Sequence, residues 1–73
     1  MNLRDNGERL RNLRGNRSAR EVADSVGISE SALLMYERGE RNPRDDIKIG
    51  LAHYYHVGVG DIFFPDNFTK REV

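Results

Sequence analysis

The sequence predicts an all-helical fold, and three observations in one stretch of the chain support this. From Ala19 to Arg38, apolar and small residues recur three or four positions apart, which is the spacing of a buried helix face. A serine stands before each of two predicted helices, where it can cap the first turn. A glycine stands between the helices, where it can end the first one in the left-handed conformation. The stretch is therefore predicted to contain two short helices joined by a tight turn.

The first helix of this pair is predicted to begin near Ala19. Ser18 can cap it, and Glu21, three residues on, can reach back to the capped backbone as in a capping box. Three residues share its buried face: Val22, Ala23 and Val26. Gly27 follows that face directly, so the helix is predicted to end there.

The second helix is predicted to run from about Glu30 to Arg38, with Ile28 in the turn and Ser29 as its cap. Leu33 and Tyr36 lie on its inner face. The residues left on its other faces would meet a partner: Glu30, Ser31, Leu34, Met35 and Arg38. Two helices joined by so short a turn form a helix-turn-helix, an arrangement that indicates DNA binding.

The second half of the chain is predicted to supply the residues that complete the core. A helix begins at Asp45 or Asp46, whose negative charge complements the helix dipole. Its inner face carries mainly four residues: Ile47, Leu51, Ala52 and Tyr55. A last short helix, from about Asp61 to Phe64, would insert Ile62 and Phe63 into the core.

Three aromatic residues have no place in this predicted core: Tyr54, Phe64 and Phe68. Aromatic residues are enriched where subunits meet, so we expect these three at the interface of a homodimer. The alternative is a monomer that covers them with its own carboxy-terminal tail.

Composition limits the class of protein. The 73 residues suffice for one small domain, predicted over residues 1–73 with 65–73 as a short tail. The absence of cysteine excludes disulfides and thiolate metal sites, which fits a reducing cytoplasm. The chain shows neither an apolar stretch that could span a membrane nor a signal-like amino terminus. We therefore expect a cytoplasmic domain without a cofactor or metal.

Charge is unevenly distributed along a chain whose net charge is zero. Residues 1–44 carry nine arginines and seven acidic residues, which gives a net charge of +2. Residues 45–73 carry three basic and five acidic residues, which gives −2. The half with the helix-turn-helix is thus positive, and arginine suits phosphates and guanine edges. The small excess predicts weak non-specific DNA affinity with a modest salt dependence.

A longer series of motifs covers some sixty residues. In the helix pair it comprises Ser18, Glu21-Val22-Ala23, Gly27-Ile28-Ser29, Ser31-Ala32-Leu33 and Tyr36-Glu37-Arg38-Gly39. Outside the pair it comprises residues 8–14, Arg41-Asn42-Pro43, residues 51–55 and residues 57–63. In order and spacing, the series resembles the phage Cro and repressor (XRE) family of helix-turn-helix proteins. The resemblance implies a compact five-helix Cro/repressor-like DNA-binding domain.

The resemblance also implies which residues contact DNA, with the second helix of the pair in the major groove. Base contacts are expected from Ser29, Glu30, Ser31, Leu34 and Met35. Phosphate contacts are expected from Arg17, Ser18, Arg20, Arg38, Arg41, Asn42 and Arg44. Many relatives place glutamine, arginine or lysine on the base-reading face, where this chain has Glu30, Leu34 and Met35. Leu34 and Met35 could instead pack against the first helix or a second subunit.

The function that follows is sequence-specific binding of double-stranded DNA by a transcriptional regulator, a repressor of phage, mobile-element or bacterial type. A homodimer would read a palindromic operator. The alternative is a helix-turn-helix used as a protein-interaction module, an antitoxin-like or antirepressor partner that binds protein through Leu34 and Met35.

Catalysis finds little support in the sequence. The two histidines, His53 and His56, lie three residues apart without a carboxylate arranged as in HExxH. No glycine-rich phosphate loop precedes a strand. Glu37 is expected to be structural, either pairing with an arginine or capping a neighbouring helix. The protein is therefore predicted not to be an enzyme.

Overall fold

The computed structural model describes residues 3–63, and every regular element in that range is a helix. In chain order these are α1 (Leu3–Arg14), α2 (Ala19–Val26), α3 (Glu30–Glu37), α4 (Asp45–Tyr55) and α5 (Val59–Phe63). This confirms the predicted all-helical, five-helix fold. The tail at 65–73 and two predicted interface residues, Phe64 and Phe68, lie outside the described residues.

The α2–turn–α3 unit is formed by the local signals that predicted it. The Ser18 Oγ accepts a hydrogen bond from the Glu21 amide at 3.0 Å, and α2 begins one residue after that serine. Gly27 ends α2 in the left-handed conformation, with φ of 88°. The Ser29 Oγ then accepts from the Ala32 amide at 3.0 Å and starts α3. Each cap satisfies a backbone group that the helix ends would leave unpaired.

The core lies where α1, α2 and α3 meet α4 and α5. Its buried apolar residues come from all five helices: Leu10, Ala19, Val22, Ala23, Leu33, Tyr36, Leu51, Ala52, Tyr55, Ile62 and Phe63. Ala23 is fully buried, as expected for a small residue where α2 and α3 cross. Val26 and Ile47 are half-buried and pack against this cluster. The predicted inner faces of α2, α3 and α4 are therefore confirmed.

The structure corrects one prediction about the second half and adds one buried residue to it. The last helix begins at Val59 rather than Asp61, because Asp61, its third residue, reaches back so that its Oδ2 accepts a hydrogen bond from the Gly58 amide at 2.9 Å. Lys48, which was assigned no place in the core, is 5% exposed and its Nζ lies 5.5 Å from the Phe63 ring centroid. A lysine can bury its stem in this way while its ammonium contacts an aromatic face.

Candidate nucleic-acid interface

The first turn of α3 presents a short row of exposed polar side chains. Ser29, Glu30 and Ser31 are all exposed, and the Ser29 side chain also caps the helix. The helix amino terminus places positive dipole charge and unpaired amides at this end. The three residues predicted to contact bases at the helix start therefore share one accessible turn.

Leu34 and Met35, the other two residues predicted to contact bases, are less accessible. Both are half-buried, and Leu34 packs against the core cluster from the side of α3. For Leu34 this contact is of the kind expected if the side chain packs against protein, whereas for Met35 that alternative stays a prediction. The freely accessible part of the α3 face is accordingly the first turn.

The start of α2 forms one flank of this surface. Arg17, Ser18 and Arg20 are exposed, whereas Ala19 between them is 8% exposed and belongs to the core. The Arg17 guanidinium carbon lies 5.5 Å from the Tyr54 ring centroid and 5.7 Å from that of Tyr55. Two arginines therefore stand beside the helix amino terminus, and the position of one is set by aromatic contacts.

The segment between α3 and α4 forms the other flank. Four of its polar side chains are exposed: Arg38, Arg41, Asn42 and Arg44. Arg38 pairs with Glu40 at 3.2 Å and Arg44 lies 3.8 Å from Asp46, both on the open surface, where such pairs exchange readily with solvent or a phosphate. Gly39 has φ of 74°, and a Cβ there would come within 2.9 Å of the Arg4 Cα. The close contact with α1 fixes where this segment leaves α3.

A polar groove of about 420 Å³ lies between this segment and the α2–α3 turn. Its lining comprises Gly27, Ile28, Ser29, Ala32, Tyr36, Arg41, Asn42, Arg44 and Ile47. The cap of α3 and the second flank thus border one continuous depression, which carries two arginines and can accommodate an anionic group.

A buried ion pair connects the two flanks of this surface. The Arg14 Nε and Nη2 donate to the two Glu37 carboxylate oxygens at 2.8 and 3.0 Å. The hydrogen bond to Glu37 raises the pKa of Arg14. The Arg14 Nη1 donates to the Arg17 carbonyl at 2.9 Å, so the end of α3 is linked to the loop before α2. The structural role predicted for Glu37 is confirmed; its partner, 23 positions away, left no local signal.

Tyr54, predicted to lie at a dimer interface, is already partly covered within one chain. It is half-buried, and its ring packs edge-on against Tyr55 with 5.2 Å between centroids and 77° between planes. The dimer prediction for Tyr54 remains a prediction, and the structure adds a contact with Arg17 that the sequence did not suggest.

The histidines lie away from any cluster of ligating groups. His53 and His56 are exposed, and His56 forms the left-handed end of α4 with φ of 61°. Within residues 3–63, no three histidine, cysteine or acidic side chains come together as a metal site. In the same range no helix is both long and apolar enough to cross a membrane.

Comparison with known proteins places these features in a family. A family model described as helix-turn-helix matches residues 8–62. A Thermococcus kodakarensis protein named "Putative HTH-type transcriptional regulatory protein TK0539" is 42% identical over 61 residues. The match covers 81% of this chain and 19% of that protein, so the chain spans about a fifth of the relative's length. No solved structure matched. The chain belongs to the XRE-type helix-turn-helix family, as its motifs predicted.

Proposed function

We propose that this protein is a sequence-specific DNA-binding transcriptional regulator that acts as a repressor, of bacterial, phage or mobile-element type. The observation that carries the proposal is the exposed first turn of α3, flanked on both sides by exposed arginines. Family membership supports DNA binding and transcriptional regulation. In this proposal, residues 1–73 act as a single DNA-binding domain whose role is binding rather than catalysis.

Base reading is assigned to α3 lying in the major groove. The hydroxyls of Ser29 and Ser31 can donate to or accept from several bases, and the Glu30 carboxylate can accept from the amino group of cytosine. Leu34 and Met35 would make apolar contacts, such as with a thymine methyl group, through their half-exposed parts. A preference for cytosine opposite Glu30 is the expected result.

Phosphate contacts are assigned to the two flanks. At the start of α2, free amides and the helix dipole attract a phosphate, with Ser18, Arg17 and Arg20 beside it. At the other flank, four exposed side chains would hold the backbone of the opposite strand: Arg38, Arg41, Asn42 and Arg44. The last three of these border the polar groove. Such contacts orient the protein on DNA without specifying sequence.

Repression would follow from occupation of an operator by a homodimer. A twofold dimer sets its recognition helices roughly 34 Å apart and reads a palindrome. Tyr54, Phe64 and Phe68 are the proposed interface residues, of which the last two lie outside the described range. The proposed site of action is the cytoplasm, where such a regulator meets its DNA.

The test is selection of bound duplexes from a random DNA pool at low salt, followed by retesting of the enriched sequences at physiological salt. We expect a palindrome with half-sites about one helical turn apart. A matched variant, Glu30→Ala with Ser31→Ala, changes only exposed side chains and should lose the enriched sequence while retaining low-salt binding. A folded wild-type protein that enriches no sequence would contradict the proposal and favour the protein-interaction alternative.

A further inference from the structure

One arginine of the proposed interface is held by aromatic rings on a different helix. Tyr54 and Tyr55, the last two residues of α4, form an edge-on tyrosine pair. The Arg17 guanidinium carbon lies within 5.7 Å of both ring centroids. A guanidinium at this distance is attracted by the negative face of an aromatic ring. The side chain is therefore attached to α4 although its backbone lies before α2.

The backbone of Arg17 is fixed as well. Its amide donates to the Arg14 carbonyl at 3.0 Å, and its carbonyl accepts from the Arg14 Nη1 at 2.9 Å. Arg14 is in turn held by Glu37 at the end of α3. Arg17 thus precedes the α2 cap with both its main chain and its side chain constrained, although the residue is exposed.

The tyrosine pair itself is packed into the protein core. Tyr55 is 8% exposed, and Tyr54 is half-buried against the core cluster. The helices α2 and α4 lie side by side. Arg17, just before α2, meets the tyrosines at the end of α4, and a Cβ at Gly50, earlier on α4, would lie 3.3 Å from the Val26 Cγ1 at the other end of α2. The arginine is thus held by side chains that are packed into the core.

We infer that Tyr54 and Tyr55 are positioning residues that hold the Arg17 guanidinium beside the amino terminus of α2 in readiness for a DNA phosphate. The inference rests on the proposed function. A contact with the face of a guanidinium leaves its in-plane N–H donors available to phosphate oxygens. Pre-ordering a long side chain also lowers the conformational entropy lost on binding.

The experiment measures affinity for a non-specific duplex at low salt, in a double-mutant cycle between Tyr54 and Arg17. Tyr54→Leu removes the ring and should weaken binding about two- to tenfold, the effect of releasing one ordered side chain. Tyr54→Phe keeps the ring and should bind within about twofold of the wild type. In a protein that already carries Arg17→Ala, Tyr54→Leu should cause no further loss of DNA affinity, because Tyr54 acts on binding through Arg17.

A second readout needs no DNA. The Arg17 Nε–H proton should show a ring-current shift by NMR that Tyr54→Leu reduces and Tyr54→Phe retains. Circular dichroism and sedimentation then check that Tyr54→Leu is folded and has the wild-type oligomeric state. These measurements separate the positioning role from a role of Tyr54 in the dimer interface.

Two results would overturn the inference while leaving the proposed function intact. One is a Tyr54→Leu variant that binds as tightly as the wild type or more tightly, which would mean that the rings withhold Arg17 from DNA. The other is a Tyr54→Leu variant that loses the same DNA affinity whether or not Arg17 is present, which would assign the effect to dimerisation or folding. A folded wild-type protein that binds no duplex at low salt would overturn the proposed function, and this inference with it.

Discussion

Arg14 and Glu37 form a two-bond ion pair that ties the end of α1 to the end of α3. The Nε–Oε2 and Nη2–Oε1 distances are 2.8 and 3.0 Å, and the side chains are 13% and 4% exposed. Charges taken out of water are stable only when paired and hydrogen-bonded, so each residue depends on the other. The pair also positions Arg17 through its carbonyl.

Removing one partner of this pair should destabilise the fold strongly. Arg14→Ala leaves the Glu37 carboxylate buried without its counter-charge, and we expect a loss of about 3–5 kcal/mol in the free energy of unfolding. Urea denaturation measures this. The matched control is Glu40→Ala, which breaks the exposed Arg38–Glu40 pair and should cost less than about 1 kcal/mol. Similar losses in the two variants would show that the buried pair has no special role.

Gly7 is predicted to be essential for the crossing of α1 and α3. A Cβ at Gly7 would come within 2.7 Å of the Tyr36 carbonyl oxygen and closer still to that of Glu37, and backbone atoms cannot give way cheaply. We expect Gly7→Ala to cost about 1–3 kcal/mol or more in unfolding free energy, as overpacking does. Thermal denaturation followed by circular dichroism would measure it.

Gly50→Ala is the control, because Gly50 is also a glycine inside a helix. Its added Cβ would meet only the Val26 Cγ1, at 3.3 Å, and the gain in helix propensity offsets that contact. We expect a change within about 1 kcal/mol in either direction. If Gly7→Ala were as stable as Gly50→Ala, the two helices could separate without penalty and the close crossing would not matter.

Tyr55 is predicted to make the protein sensitive to alkali. Burial, with the nearby negative charge of Glu37, raises the pKa of Tyr55 to about 12. The folded state therefore holds the phenol proton more tightly than the unfolded chain, whose tyrosine pKa is about 10. The contribution of Tyr55 to stability is complete below pH 10 and is lost as the pH rises through that window towards 12.

The measurement compares urea denaturation of the wild type and Tyr55→Phe at pH 8 and pH 11. Between pH 8 and pH 11, the free energy of unfolding of the wild type should fall by about 1 kcal/mol more than that of the variant. At pH 8 the variant should be nearly as stable as the wild type, because the buried Tyr55 hydroxyl has no hydrogen-bond partner among the described residues. An equal alkaline loss in both proteins would place the titrating group elsewhere.

Phosphate and base contacts are predicted to respond differently to substitution. Arg41→Ala removes an exposed cation from the second flank and should weaken binding to all sequences, lowering the salt slope by about 1. Glu30→Gln replaces an acceptor suited to cytosine with an amide suited to adenine and should change which duplex is preferred. Fluorescence anisotropy at several salt concentrations, with the operator and a scrambled duplex, distinguishes the two effects.

Arg11→Ala is the control for charge, since Arg11 is an exposed arginine on α1 outside the proposed contacts. The DNA affinity and salt slope of the Arg11→Ala variant should match those of the wild type within error. A loss equal to that of Arg41→Ala would indicate that overall charge governs binding. An unchanged base preference in Glu30→Gln would remove Glu30 from the reading face.

The local sequence determined where α2 begins and ends and where α3 begins. Ser18, Gly27 and Ser29 act on backbone groups within four positions of themselves, so their effects can be read without knowing the rest of the fold. The same holds for the exposed first turn of α3, which follows from helix periodicity once the cap is placed. The order of the motifs was sufficient to identify the family and the five-helix fold.

Tertiary structure decided which distant residues meet. Arg14 pairs with Glu37, and Arg17 with the tyrosine pair, across 23 and 37 to 38 positions, because α1 crosses α3 and α4 lies along α2. Lys48 is buried because α5 brings Phe63 over it, and Leu34 is half-buried because the neighbouring core reaches the side of α3. Periodicity gives the face of each helix but not the crossing angle or the reach of a side chain, and these contacts depend on both.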